Sequence, residues 1–267
     1  MIEHTPSPLS LSLIQHALDT KTRAKLNDIL IFDTISSTND ALWQQLDKGR
    51  HGPLVCLSET QTAGRGRRGD LWHSPATGNL YLSILWPFPA DMTHNGLSIA
   101  IGISLIQVLK AEGINDLQLK WPNDILHKRK KLAGILVESR LGTKQNTVVG
   151  IGLNFKLPPD TQNQIQQPTT SLEQLCKTLP CRNRLAGTII QTMITLLERF
   201  QDCGLNEFLP QWQQYDALAN QHISLVGPDD TIDVIPCGIN QHGELRYLHN
   251  DKLHTLSNSH ISIRFNS

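Results

Sequence analysis

Leu54-Val55-Cys56-Leu57-Ser58 runs through Gln61 into Gly64-Arg65-Gly66-Arg67-Arg68-Gly69 and, past Trp72, into Leu80-Tyr81-Leu82-Ser83-Ile84-Leu85-Trp86. The two apolar ends read as strands, the second with Tyr81, Ser83 and Leu85 alternating against Leu82, Ile84 and Trp86. The loop between them sets three arginines among three glycines in six residues. Fixed positive charge is thus carried on backbone that can adopt positive φ and approach a ligand closely. Such a loop suits a phosphate, a carboxylate or an acyl phosphate, and arginine forks serve a nucleic-acid backbone equally well.

Composition narrows the choice. The chain has 267 residues with 24 basic against 24 acidic side chains. It therefore lacks the net positive field that draws a protein onto a polyanion, and its basic residues are not interleaved with aromatics as on an RNA-binding surface. Length and a hydrophobic content of 39% suit one fairly large globular domain with a small appendage. No apolar run reaches the roughly 18 residues that span a bilayer, and Met1-Ile2-Glu3-His4-Thr5-Pro6 lacks the order of a signal peptide. A cytoplasmic protein without membrane association is expected. Cys56, Cys176, Cys181, Cys203 and Cys237 are odd in number and scattered, which predicts reduced, mostly buried thiols. The histidines form no HxH or HxxxH pattern, so catalytic zinc is not expected.

Outward from the arginine loop, Ser10 to Leu26 reads as one helix and Ile29 to Phe32 as a short strand. Ser37 with Asp40 matches a capping box opening a helix through Leu42, Trp43 and Leu46. Gly96 to Glu112 and Arg184 to Gln201 are long amphipathic helices, the first stopped by Gly113. Between them lie a strand at Leu117 to Trp121, the turn Pro122-Asn123-Asp124, a solvated hairpin tip at His127-Lys128-Arg129-Lys130, and strands at Leu132 to Glu138 and Thr147 to Asn154. Lys156 to Thr170 reads as a meandering connection. From His222 onward only short strands appear, which predicts a small β-barrel of about 45 residues with its boundary near Leu218 to Gln221. Strands and helices do not alternate regularly enough for a doubly wound parallel sheet.

Three further clusters place polar groups at strand ends. Lys120-Trp121-Pro122-Asn123-Asp124 combines an amine, an amide and a carboxylate at a proline-fixed turn. Lys131-Leu132-Ala133-Gly134-Ile135 opens an apolar strand with a lysine, and Gly150-Ile151-Gly152-Leu153-Asn154 leaves one strand face bare for something flat to lie against. Together these predict a cationic pocket with one acid.

The ordered set Ser37-Thr38-Asn39, Gln61 with Gly64 to Gly69, Lys120 to Asp124, Lys131 to Ile135 and Gly150 to Asn154 resembles the biotin-protein ligase family over nearly the whole chain from Leu30. The resemblance implies an α+β fold: a mixed β-sheet flanked by helices, of the class II synthetase kind, followed by a small SH3-like β-barrel. It implies an extension at 1–30, a catalytic domain at 31–218 and the barrel at 219–267. It also implies two-step acyl transfer. The biotin carboxylate attacks the α-phosphate of ATP, with magnesium, to give biotinyl-5′-AMP and pyrophosphate, and a lysine of a biotin carboxyl carrier protein then takes the biotinyl group.

By the same resemblance Ser37, Thr38, Asn39 and Gln61 would hydrogen-bond biotin, and the backbone of Arg65, Gly66 and Arg67 would close over the adenylate. Arg67 and Lys131 would neutralise the carboxylate and α-phosphate. Arg68 would reach the triphosphate, while Lys120, Asn123, Asp124, Gly134 and Asn154 would lie on the nucleotide side together with Trp72, which would also pack on the ordered loop. Asp124 is the candidate metal ligand, orienting group or base for the carrier lysine. Some relatives carry an N-terminal DNA-binding domain, for which residues 1–30 leave no room, so no sequence-specific DNA binding is expected of this monomer or homodimer. Two rivals remain: a lipoate-protein ligase, whose arginine-rich triple-glycine signature is absent, and an RNA-binding module resting on the arginine loop alone.

Overall fold

The structure is a computed structural model describing residues 7–76, 78–165, 167–227, 230–257 and 261–266. In chain order its elements begin with α1 (Leu11–His16), α2 (Thr20–Lys25), β1 (Asp28–Ile35), α3 (Thr38–Asp47), β2 (Leu54–Gln61), β3 (Leu80–Phe88) and α4 (Leu97–Ala111). There follow β4 (Leu117–Lys120), β5 (Asp124–His127), β6 (Lys130–Leu141), β7 (Gln145–Leu153), α5 (Pro159–Gln164), α6 (Leu172–Leu175), α7 (Arg182–Cys203) and α8 (Leu209–Tyr215). The chain ends with β8 (Ile223–Val226), β9 (Thr231–Ile239), β10 (Leu245–His249), β11 (Lys252–Leu256) and β12 (Ser262–Phe265).

Seven strands form one mixed sheet in the order β1-β2-β3-β7-β6-β5-β4, and only β1 and β2 run parallel. Residues 80–86 of β3 are all buried, because the sheet is covered on both faces. Leu80, Leu82 and Ile84 share a core with α4 and α7, while Leu85 packs with Ala41, Leu42 and Trp43 of α3. The predicted alternation sorts these residues to opposite faces, and both faces are dry. The remaining five strands form an antiparallel sheet, β11-β10-β9-β8-β12, consistent with an SH3-like unit. It is joined to the first sheet by Trp121, whose indole N–H donates to the Gly243 carbonyl at 2.8 Å.

Four local expectations need correction. The single helix at Ser10 to Leu26 is two, because Asp19 accepts the Thr22 amide at 2.6 Å and caps a second start. Lys156 to Thr170 carries α5 and then pairs with the start of β6, through Lys131 N to Pro168 O at 2.8 Å and Thr170 N to Lys131 O at 2.9 Å. Helix α8, unanticipated behind Pro210, buries Trp212 and Tyr215. Of the cysteines only Cys56 is buried, where loss of water pushes its thiol up to about 12, while Cys181 and Cys237 are exposed.

Candidate functional site

The start of α3, the end of β2, the arginine loop, the turn into β5, strands β6 and β7, and β12 surround one cavity of about 1100 Å³. All five sequence blocks contribute to its lining. Ser37, Thr38 and Asn39 are buried at its inner end. The expected capping box is absent: Ser37 makes no side-chain cap bond. Gln61 caps α3 instead, its Oε1 accepting from Thr38 N at 2.8 Å and Thr38 Oγ1 at 3.1 Å while its Nε2 donates to Ser74 Oγ at 2.9 Å. Ser83 Oγ, one strand away on β3, lies 2.7 Å from Thr38 Oγ1 and 2.6 Å from Asn39 Oδ1.

Asp40, freed from capping, pairs with Arg65 at 2.6 Å. The same guanidinium contacts Glu138 at 3.1–3.2 Å through Nε and Nη2. Arg65 lines the cavity and fixes the root of the loop, its charge opposed by two carboxylates, Asp40 and Glu138. Beyond it the loop folds back on itself, with Arg65 bridged to Leu71, Gly66 N donating to Asp70 O at 2.6 Å and Trp72 N to Gly64 O at 2.9 Å. Arg68 at φ 59° and Gly69 at φ 82° make the reversal. Arg68 donates to Ser262 Oγ at 3.1 Å and pairs with Asp70 at 3.6 Å, so the loop tip touches β12. Arg67 lines the cavity, where burial and the neighbouring Arg68 lower its pKa against the opposing pull of Asp124.

The flat object on the bare glycine face is the indole of Trp72. A Cβ on Gly152 would sit 2.4 Å from its ring and one on Gly134 2.8 Å from it, so only glycine admits the ring at both places. Lys131 Nζ stands 5.1 Å from the centre of that ring and 2.9 Å from Asp124 Oδ1. Asn123 lines the cavity but donates its amide to Ile135 O at 2.7 Å, which ties the turn to β6. Asn154 is not among the lining residues. It is buried behind β6, its amide reaching Thr170 O at 3.2 Å and Lys131 O at 3.4 Å, and it supports the backbone under Lys131.

Lys120 lies on the cavity wall, its ammonium 5.5 Å from the centre of the Phe265 ring. Burial pushes its pKa down; Asp124 opposes the shift, and Lys131 and Arg264 add to it. Lys128, Arg129 and Lys130 at the hairpin tip are exposed, as expected, but Arg129 also has partners in the second sheet and beside it. Arg129 covers the same Phe265 ring at 5.0 Å and donates to Gln221 Oε1. Among the described residues, Asp70 and Asp124 are the only carboxylates lining a cavity otherwise rich in arginine and lysine. The expected cationic pocket is therefore present with a second acid.

Sequence reasoning missed Glu138, Arg129 and β12. For Glu138 a signal existed: Gly134, Leu136 and Glu138 share one face of β6 by strand periodicity, which is the face bared by glycine. The contribution of β12 depends on how the second sheet folds back over the first, which no local pattern encodes.

A family model described as the biotin/lipoate A/B protein ligase family matches residues 31–154. The chain is 35% identical over 220 residues to the bifunctional ligase/repressor BirA of Escherichia coli, covering 81% of this chain and 68% of that one. It is 32% identical over 170 residues to the biotin--[acetyl-CoA-carboxylase] ligase of Mycobacterium tuberculosis, 61% of each chain. The biotin protein ligase from Aquifex aeolicus, solved in complex with biotin and ATP, matches with a TM-score of 0.77 over 90% of this chain and 100% of that one; at 22% identity the likeness is one of fold.

Proposed function

The chain belongs to the biotin/lipoate A/B protein ligase family, and from that premise we infer that it is a biotin-protein ligase: it activates biotin with ATP and transfers the biotinyl group to a carrier lysine. The observation that carries this reading is the convergence of five sequence blocks, spread over residues 37–154, on one cation-rich cavity. Carboxylate and triphosphate repel one another, so their reaction needs fixed positive charge in a site that excludes water. In the first step a carboxylate oxygen of biotin bonds to the α-phosphorus while the α–β phosphoanhydride breaks and pyrophosphate leaves. In the second the carrier amine bonds to the acyl carbon, AMP departs with the bonding electron pair, and the amine loses its proton.

The roles divide along the cavity. Ser37, Thr38, Asn39 and Gln61 receive the biotin rings at the inner end, and Arg67 with Lys131 meets the reacting carboxylate and α-phosphate. Arg68 and Lys120 face the outgoing phosphates. Asp124 orients Lys131 and is the carboxylate we assign to take the carrier lysine's proton. Magnesium fits only as an ion brought by the nucleotide: no group of three or more metal-ligating side chains exists among the described residues, and a phosphate-bound magnesium needs one or two carboxylates, the part Asp124 would play. The partner is a biotin carboxyl carrier protein. Among the described residues no helix is long and apolar enough to cross a membrane, in keeping with a carrier met in solution.

Biotin-dependent exchange of pyrophosphate into ATP tests the first step directly. Exchange with biotin and not with lipoate is the expected result, and absence of exchange with biotin would sink the reading.

A further inference from the structure

Glu138 lies outside all five blocks, yet it holds two parts of the site at once. One carboxylate oxygen, Oε2, accepts from Asn39 Nδ2 at 2.7 Å, from Trp43 Nε1 at 3.4 Å and from Arg65 Nη2 at 3.1 Å, and Oε1 completes the contact with Arg65 at 3.2 Å. Asp40 holds the far side of the same guanidinium at 2.6 Å. The Asn39 carboxamide is thereby fixed in orientation. Its amide nitrogen faces Glu138, its oxygen faces Ser83 Oγ at 2.6 Å, and a Cβ on Gly150 would lie only 2.5 Å from that oxygen. An asparagine so bracketed can turn only if Glu138 or Ser83 lets go.

We propose that Glu138 is a positioning residue that couples biotin recognition at Asn39 to closure of the arginine loop, by sharing one carboxylate between the Asn39 amide and the Arg65 guanidinium. The inference rests on the reading of Asn39 as a biotin contact. A bidentate guanidinium–carboxylate pair is directional as well as strong, so it fixes where the loop leaves β2 and not merely that it stays near. Displacement of Asn39 shifts Glu138, and with it the root from which Gly66 and Arg67 are hung. Biotin held firmly by Asn39 therefore favours the closed loop, and the closed loop keeps the adenylate in place. By reciprocity of linkage, a loosened loop weakens biotin.

Glu138→Gln keeps the size of the side chain and an acceptor for Asn39 while removing the charge that faces Arg65. KM for biotin in pyrophosphate exchange should rise about tenfold, and biotinyl-adenylate should dissociate faster by a similar factor, with KM for ATP unchanged. A glutamate serving stability alone would lower the melting temperature and leave the ratio of the two KM values where it was, which overturns the proposal. Arg65→Gln should reproduce the biotin-specific effect, and adding it to Glu138→Gln should cost little more, because the two act as one unit. Fully additive losses would contradict the coupling. If Glu138→Gln does not fold, Arg65→Gln carries the test with the same expectations. Wild-type protein without biotin-dependent exchange marks failure of the proposed function, whereas an active wild type with wild-type kinetics in the variants marks failure of this inference alone.

Discussion

Lys131 Nζ stands 2.9 Å from Asp124 Oδ1, and both groups are largely buried, with 14% and 16% of their side chains exposed. The two residues come from consecutive strands, with Asp124 of β5 opposite Gly134 and Lys131 of β6 opposite Leu126, so the pair reaches diagonally across the hairpin. The carboxylate fixes where the ammonium points. If that ammonium neutralises the biotin carboxylate and the α-phosphate as they approach, Lys131→Ala should lower adenylate formation by roughly a hundredfold, as does loss of one oriented oxyanion donor. Pyrophosphate exchange measures the effect, and an unchanged circular dichroism spectrum shows that the fold survives. Near-normal adenylation would mean that the charge is supplied elsewhere.

The glycine face offers a test of packing. Gly152→Ala brings a methyl to within 2.4 Å of the Trp72 ring, and the ring cannot retreat without leaving Gly134 as well. Overpacking of this kind costs about 1–3 kcal/mol. Urea unfolding should show that loss, and in a Trp72→Ala background the same Gly152→Ala change should cost little, because the clashing ring is gone. A Gly152→Ala protein as stable as wild type would show that the indole does not occupy that face in solution.

Much of this site was legible in the sequence for a physical reason. Glycine at 134, 150 and 152, lysine at the head of an apolar strand and arginine between glycines are each costly or unusual where they stand, so each marks a requirement. What stayed hidden lay in partnerships across the sheet. Ser37 and Asp40 have the residue types of a capping box, but Gln61 reaches the α3 start first and Asp40 turns to Arg65. Asn154 sits at a strand end like a ligand-binding residue, yet its amide faces the backbone of Lys131 and Thr170. Arg129 is exposed as its turn predicts, but its contact with the Phe265 ring stayed hidden because that ring is supplied by a strand far along the chain.

Glu138 also predicts a dependence on pH. Burial raises its pKa, but the hydrogen bonds from Asn39 and Arg65 outweigh that cost and hold the carboxyl below its ordinary value of 4.5. A carboxylate with a depressed folded-state pKa adds stability at pH values above 4.5, and that stability is lost as pH falls through the folded value. Glu138→Gln removes this contribution. The fall in unfolding free energy below pH 4.5 should therefore be shallower in the variant, with a residual slope from Asp19 and Asp233, whose carboxyls are also lowered. Identical slopes in denaturant titrations at several acid pH values would contradict the ion pair as the source.

Phe265 tests whether the second sheet belongs to the site. Its ring meets Lys120 at 5.5 Å and Arg129 at 5.0 Å, so the last strand is attached to the chain on either side of β5 by cation–π contacts. Ser262 adds a third attachment through Arg68 at 3.1 Å. Phe265→Ala removes the ring and lets Lys120 drift from the wall on which the outgoing phosphates are read. Each such contact is worth about 0.5–2 kcal/mol, so KM for ATP should rise roughly threefold to tenfold while KM for biotin stays within twofold. Phe265→Tyr, which keeps the ring face, should restore wild-type behaviour. Initial rates of exchange at varied ATP and varied biotin measure both constants, and an equal rise in the two would show that β12 supports the fold generally rather than the nucleotide end of the cavity.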